Sequence, residues 1–207
     1  MIKVKICGIT NVLDALNAAK YGADALGFVF AKSSRHVSSR KALSIIKELP
    51  LFTFKVGVFV NAPAQDVLKV IRFCGLDAVQ LHGEEDDRYC AFLRKYCRII
   101  KTFRIKDENS MQNFVEYKNI DAYLFDTYTL DAYGGTGLSF DHKRLQNLRL
   151  KKPIIIAGGL NLKNVETVIQ CLAPYAVDVS SGVEDAPGRK NADLLKSFIL
   201  QIKKERP

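Results

Sequence analysis

Two ionisable side chains stand where strand-like runs stop. Cys7 closes Lys3-Val4-Lys5-Ile6-Cys7 and is followed at once by Gly8-Ile9-Thr10, while Asp126 directly follows Tyr123-Leu124-Phe125. A thiol can take up a proton as its thiolate once positive charge or a helix N-terminus lowers its pKa. A half-buried carboxyl group leans toward its protonated form and can donate. The pair therefore supplies a base and an acid. Three glycine-rich or hydroxyl-rich turns add an anion cradle: Gly134-Gly135-Thr136-Gly137, Ala157-Gly158-Gly159 and Ser180-Ser181-Gly182. Turns of this kind let main-chain N–H groups close on a phosphate, aided by helix N-termini. Arg35, in the polar run Ser33-Ser34-Arg35-His36, offers a planar fork suited to a carboxylate. Cys7 with His82 could instead be a thiol nucleophile and its base, but a phosphate cradle and a carboxylate clamp do not call for one.

These residues need a scaffold that brings distant strand ends to one place. Apolar residues at i, i+3, i+4 and i+7 recur in Val12/Ala15/Leu16/Ala19, Ala42/Ile45/Ile46/Leu49, Val67/Val70/Ile71/Cys74, Tyr89/Phe92/Leu93/Tyr96, Val165/Val168/Ile169/Leu172 and Leu195/Phe198/Ile199/Ile202. Each set predicts one buried helical stripe. Thr10 is expected to cap the first helix with its hydroxyl. Between the stripes lie short apolar runs at 25–30, 54–60, 78–81, 98–103, 122–125, 153–157 and 176–179, too apolar for a sheet with a wet face. With the opening run they make eight strands, two of them followed by weakly patterned helices near 111–115 and 140–148. Ala23-Asp24-Ala25, Leu76-Asp77-Ala78 and Ile120-Asp121-Ala122 lead into even-numbered strands at near-regular intervals, with Pro174-Tyr175-Ala176 in the fourth such place. Eight strand–helix units in series predict an α/β fold, a parallel eight-stranded (β/α)8 TIM barrel, built as a single domain over 1–207. An open doubly wound sheet fits less well, because Cys7-Gly8-Ile9-Thr10 is not its glycine-rich turn. On a barrel, the ends of all strands share one rim. That rim gathers Cys7, Arg35, Asn61, His82, Arg104, Asp126, Gly158, Gly159, Ser180, Ser181 and Gly182.

Composition narrows the class further. The chain has 207 residues, 48% hydrophobic and 26% charged, which suits a soluble globular protein and leaves no run long enough for a membrane span. The first residues enter a strand directly, so a cytoplasmic protein is expected. Cys7, Cys74, Cys90, Cys97 and Cys171 are odd in number and form no C-x-x-C pair, which argues against disulfides and a zinc site. The last four read as small buried hydrophobes. Lys and Arg exceed Asp and Glu by 31 to 22, for a net charge of +9. That excess helps an anionic substrate arrive. It is scattered, with no basic stripe, so no nucleic-acid partner is expected. A monomer is the expected state.

In order along the chain stand Lys5-Ile6-Cys7-Gly8-Ile9-Thr10, Gly22-Ala23-Asp24-Ala25-Leu26-Gly27-Phe28, Ser34-Arg35, Val56-Gly57-Val58-Phe59, Val79-Gln80-Leu81-His82-Gly83, Phe125-Asp126, Gly134-Gly135-Thr136-Gly137, Ala157-Gly158-Gly159-Leu160 and Val177-Asp178-Val179-Ser180-Ser181-Gly182-Val183-Glu184. As a set, this resembles the phosphoribosylanthranilate isomerases of tryptophan biosynthesis, from end to end. The resemblance implies a cofactor-free, metal-free Amadori rearrangement of a phosphorylated small molecule. It implies Asp126 as general acid at the furanose ring oxygen and Cys7 as general base at the sugar C2′. Arg35 would hold the anthranilate carboxylate, with His82 and Asp178 as further substrate-binding positions. Gly135, Thr136, Gly137, Gly158, Gly159, Ser180, Ser181 and Gly182 would hold the phosphate. Ser34, His36, His142 and Asn191 depart from the pattern common among relatives. Another phosphosugar isomerase of the histidine pathway would usually carry aspartates at the ends of strands one and five, where this chain has Cys7 and Phe103-Arg104.

Overall fold

The structure, a computed structural model, describes residues 1–105, 116–127 and 150–204. Its strands are β1 (Lys3–Cys7), β2 (Ala25–Val29), β3 (Phe54–Phe59), β4 (Ala78–Leu81), β5 (Arg98–Ile105), β6 (Ala122–Thr127), β7 (Ile154–Ala157) and β8 (Ala176–Val179). All neighbours pair in parallel, and β8 closes on β1 with Val4 opposite Val177. The eight predicted strands thus form the predicted barrel. Between them run α1 (Val12–Tyr21), α2 (Ser39–Ile46), α3 (Ala64–Cys74), α4 (Asp87–Leu93) and α5 (Val165–Leu172), and α6 (Ala192–Lys204) ends the described chain. The weakly patterned segments near 111–115 and 140–148 lie outside the described residues.

Side chains alternate across each strand, and a barrel turns that alternation into inside and outside. Val4 and Ile6 point outward and are fully buried under helices, and α6 presses Leu195, Phe198, Ile199 and Ile202 against the outer core. Each fully buried side chain of this kind is worth roughly 1.5–3 kcal/mol. Inside, small residues Ala25, Ala78, Ala122, Ala157 and Ala176 pack with Val56, Ile100, Leu124 and Ile155. Two residues further along several of these strands the interior turns polar: Gln80, Thr102 and Asp178, with Lys5 on β1, are all buried. One step more brings Cys7, His82, Arg104, Asp126 and Ser180 to the C-terminal mouth.

The three repeated aspartates have a common task. Asp24, Asp77 and Asp121 each accept a main-chain N–H from the preceding odd strand: Val4 at 2.9 Å, Lys55 at 2.7 Å and Ile99 at 2.9 Å. At the fourth place stands Tyr175, tied to its neighbours through the main chain: its N–H donates to the Ile154 carbonyl of β7 at 2.9 Å and its carbonyl accepts from the Lys3 N–H of β1 at 3.0 Å.

Local expectations fail where a distant partner competes. The N-cap of α1 is Asn11, which accepts from the Asp14 N–H at 2.9 Å. Thr10 is not the cap because its hydroxyl donates to the Gly188 carbonyl. The stripe of α1 is also shifted: Leu16 is exposed, and Asp14, Ala15 and Ala18 face inward because Asp14 accepts the Lys190 N–H at 2.8 Å. The fourth helix stops at Leu93, leaving Tyr96 outside it, and buries Cys90 and Leu93. Cys74 and Cys90 are buried as expected, whereas Cys97 and Cys171 are partly exposed. Asn191 replaces a common Asp without loss of the cap, since its Oδ1 accepts from the Leu194 N–H at 2.9 Å.

Candidate active site

Cys7, Arg35, His82, Asp126, Gly158, Gly159, Asp178, Ser180 and Ser181 line one cavity of about 540 Å³ at the C-terminal mouth, in company with Gln80 and Arg104. Nine of the predicted site residues are therefore brought together from β1, β2, β4, β6, β7 and β8 and the loops beyond them. Gly158 and Gly159 both have positive φ (91° and 60°), the turn that only glycine makes cheaply. Gly182 is not among the lining residues. It is glycine because a side chain there would run into the Leu160 carbonyl. Gly135, Thr136 and Gly137 lie outside the described residues.

Cys7 sits half-buried at the end of β1. Burial pushes its thiol above the ordinary value; Lys5 and Lys190 pull it down and Asp178 pushes it up, with a net upward direction. Nearby positive charge is present as expected, but burial outweighs it. The Cys7 thiolate is accordingly scarce near neutrality and gains about tenfold per pH unit below its pKa. Alkylation of the Cys7 peptide by iodoacetamide, followed by mass spectrometry, should accelerate in that proportion from pH 7 to beyond pH 8.5. A rate that levels off below pH 8 would contradict this environment.

Lys5 is buried against Asp178, whose Oδ2 lies 2.6 Å from its Nζ. Burial alone would lower the Lys5 pKa, but Asp178 and the facing Cys7 sulfur outweigh it, so the ammonium is held above its usual value. The same Nζ donates to Gln80 Oε1 at 2.9 Å. Gln80 Nε2 stands 3.2 Å from His82 Nδ1, and His82 Nε2 stands 3.1 Å from Asp126 Oδ2. Asp178 Oδ1 is buried and has no hydrogen-bond partner among the described residues. An unsatisfied acceptor lining a cavity is a place for a ligand donor.

Arg35 reaches the same mouth from the loop after β2. It is clasped by Glu184 through Nε at 2.9 Å and Nη2 at 2.6 Å. Glu184 also accepts from Lys190 Nζ at 2.7 Å, within the hairpin of β9 (Glu184–Ala186) and β10 (Arg189–Lys190). Burial would raise the Glu184 pKa, but Arg35 and Lys190 hold it below the usual carboxylate range. Glu184 is thus held between two cations, of which Arg35 lines the cavity. Sequence reading missed Glu184 and Gln80 as site residues; Glu184 is 149 residues from the arginine it holds.

Behind His82, the turn after β4 is fixed by a buried ion pair. Lys101 Nζ donates to Glu85 Oε2 at 2.9 Å and to the Gly83 carbonyl at 2.7 Å. Glu85 accepts the N–H groups of Asn61 at 2.8 Å and Gly83 at 3.0 Å.

A closed parallel barrel that gathers a thiol, a carboxyl group, a clasped arginine, a glycine turn and a serine turn at the C-terminal ends of its strands is an enzyme of the (β/α)8 class. The profile of the family described as N-(5'phosphoribosyl)anthranilate (PRA) isomerase matches residues 4–201. The chain belongs to that family, and is an isomerase of tryptophan biosynthesis. It is 46% identical to N-(5'-phosphoribosyl)anthranilate isomerase of Pelobacter propionicus over 207 residues, covering 100% of this chain and 98% of that protein. Among solved structures, phosphoribosyl anthranilate isomerase from Thermotoga maritima superposes with a TM-score of 0.90 at 44% identity, covering 99% of this chain and 100% of the other. A phosphoribosyl anthranilate isomerase in complex with reduced 1-(o-carboxyphenylamino)-1-deoxyribulose 5-phosphate superposes with a TM-score of 0.88 at 41% identity, with the same coverage. Among the described residues, no helix is long and apolar enough to cross a membrane.

Proposed function

We propose that this enzyme converts N-(5-phosphoribosyl)anthranilate into 1-(2-carboxyphenylamino)-1-deoxyribulose 5-phosphate, with Asp126 as general acid and Cys7 as general base. The observation that carries the reading is the single cavity that both residues line, with an anion cradle on β7 and β8 beside them. Asp126 protonates the furanose ring oxygen as the bond from that oxygen to C1′ breaks, and the nitrogen lone pair forms a C=N bond. Cys7 removes the C2′ proton, whose bonding electrons move to C1′–C2′ and return the nitrogen pair. The resulting enolamine tautomerises to the C2′ ketone, so nothing is gained or lost overall. Lys5 offers its charge to the thiolate. Asp178 Oδ1 accepts a hydrogen bond from the substrate. Gly158, Gly159, Ser180 and Ser181 hold the phosphate, with Gly135, Thr136 and Gly137 as further donors.

Arg35 receives the anthranilate carboxylate on its remaining nitrogen, Nη1, while Glu184 holds the other two. Charge-assisted hydrogen bonds contribute about 1.5–3 kcal/mol each, or roughly 10- to 150-fold in affinity. The purified enzyme should consume fluorescent phosphoribosylanthranilate. Arg35→Met should raise KM by about that factor with a smaller change in kcat. No loss of fluorescence with the unmodified enzyme would sink the proposed reaction. An unchanged KM in Arg35→Met would take the carboxylate away from Arg35.

A further inference from the structure

Gln80 is buried inside the barrel, where an amide is retained only if its hydrogen bonds are made. Its orientation follows from its neighbours. The Lys5 ammonium has donors and no acceptor, so the group 2.9 Å from it must be the amide oxygen. The amide NH2 then faces His82 Nδ1 at 3.2 Å. An NH2 group can only donate, so Nδ1 must present its lone pair. The imidazole proton is left on Nε2, where it meets Asp126 Oδ2 at 3.1 Å. Asp126 Oδ2 is thereby engaged as an acceptor, and the carboxyl proton belongs on Oδ1. The Lys5 end of the chain is locked as well, since that ammonium is shared by Asp178, Gln80 and the Cys7 sulfur.

We infer that Gln80 is a positioning residue: anchored by Lys5, it holds His82 as the neutral Nε2–H tautomer and so leaves Asp126 Oδ1 as the atom that carries the donated proton. The tautomer stands on this geometry alone, while the consequence for turnover rests on Asp126 being the general acid. Other charged or titratable groups at the mouth are Cys7 on β1, Lys32 and Arg35 in the loop after β2, Arg104 on β5 and Asp178 on β8, with Glu84 and Lys101 on the other side of His82 and Lys5 beneath Gln80. None of these is the hydrogen-bond partner of His82 Nδ1, which is Gln80.

The chain has three histidines, His36, His82 and His142, so the ring nitrogens are separable in a long-range 1H–15N spectrum of the 15N-histidine-labelled enzyme. His82→Gln identifies the His82 signals by their loss. At neutral pH the wild-type spectrum should show His82 protonated on Nε2 and bare on Nδ1. A proton on Nδ1, alone or as imidazolium, would overturn the inference without reference to activity. Gln80→Glu replaces the NH2 donor with an acceptor, which calls a proton onto Nδ1 and makes His82 an imidazolium paired with an ionised Asp126. Turnover should then fall by about 100-fold, the lower range for a lost general acid. Gln80→Met removes the donor without adding charge. It should populate both tautomers and lower turnover about tenfold, near the worth of one buried hydrogen bond. A Gln80→Glu enzyme that carries the imidazolium and keeps full turnover would break the link to Asp126. An inactive wild-type enzyme with the expected spectrum would instead count against the proposed reaction and leave the tautomer intact.

Discussion

Asp126→Asn and Cys7→Ala should each lower turnover at least about 100-fold, the lower end for a group that transfers a proton in the transition state. Asparagine keeps the size of the carboxyl group and can still accept from His82, but it has no acidic proton for the ring oxygen. Alanine keeps the backbone of β1 and removes the sulfur that faces the Lys5 ammonium. Neither residue belongs to the outer hydrophobic core, so the far-UV circular dichroism and the urea midpoint should stay near those of the parent. Affinity for the product should also change little, because the phosphate and carboxylate contacts are made by other residues. That combination, with turnover lost and both binding and folding kept, separates a chemical role from a structural one. Near-normal turnover in either variant would remove that residue from the mechanism.

The second large effect falls on stability. Glu85→Gln should reduce the free energy of unfolding by about 3–5 kcal/mol, because it strands the Lys101 ammonium in a site from which water is excluded. Both side chains of the pair are nearly inaccessible, at 3% and 2%. Replacing both partners, as Glu85→Leu with Lys101→Met, should cost less than the single change, since no unpaired ion remains. The double change still leaves the Asn61 and Gly83 N–H groups without their acceptor. The pH dependence follows from the direction of the Glu85 shift. Burial would raise its pKa, but Lys101 and the Asn61 N–H outweigh it and hold it below the usual value. The unfolded chain therefore binds this proton more readily, and the pair's contribution is complete above about pH 4.3, the unfolded glutamate value. It is lost as pH falls through the lower folded value. Urea titrations of the parent and Glu85→Gln between pH 7 and pH 3 should converge at the acid end. Parallel curves throughout would show that the ion pair is not what Glu85 supplies.

The barrel was legible because strand burial on both faces writes long apolar runs, and amphipathic helices write a different period between them. Cys7, His82 and Asp126 were legible because chemistry on a barrel collects at strand ends, and those ends are marked by a break in apolar residues. Gln80 was not, because a polar residue in an apolar strand has no meaning until its partner is known, and Lys5 is 75 positions away. Glu184 was hidden for the same reason. Thr10 misled for a related one: a hydroxyl before a helix is a sound cap locally, yet the Gly188 carbonyl, 178 residues on, takes its proton. Periodicity likewise expected Leu16 on the buried face of α1, where the contact with Lys190 turns Asp14 inward instead. Long-range partners decided each of these positions, and no local pattern encodes them.

The aspartates at the starts of β2, β4 and β6 divide labour between the two ends of the molecule. Stitching of neighbouring strands is concentrated where the chain runs up into the barrel, far from the mouth where sugar chemistry is proposed. Resilience at the foot leaves the crown free to hold awkward groups: a lysine and an aspartate with little solvent, a thiol raised by burial, an acceptor left empty. The crown can therefore be altered in evolution, one loop at a time, without unlacing the ring beneath it.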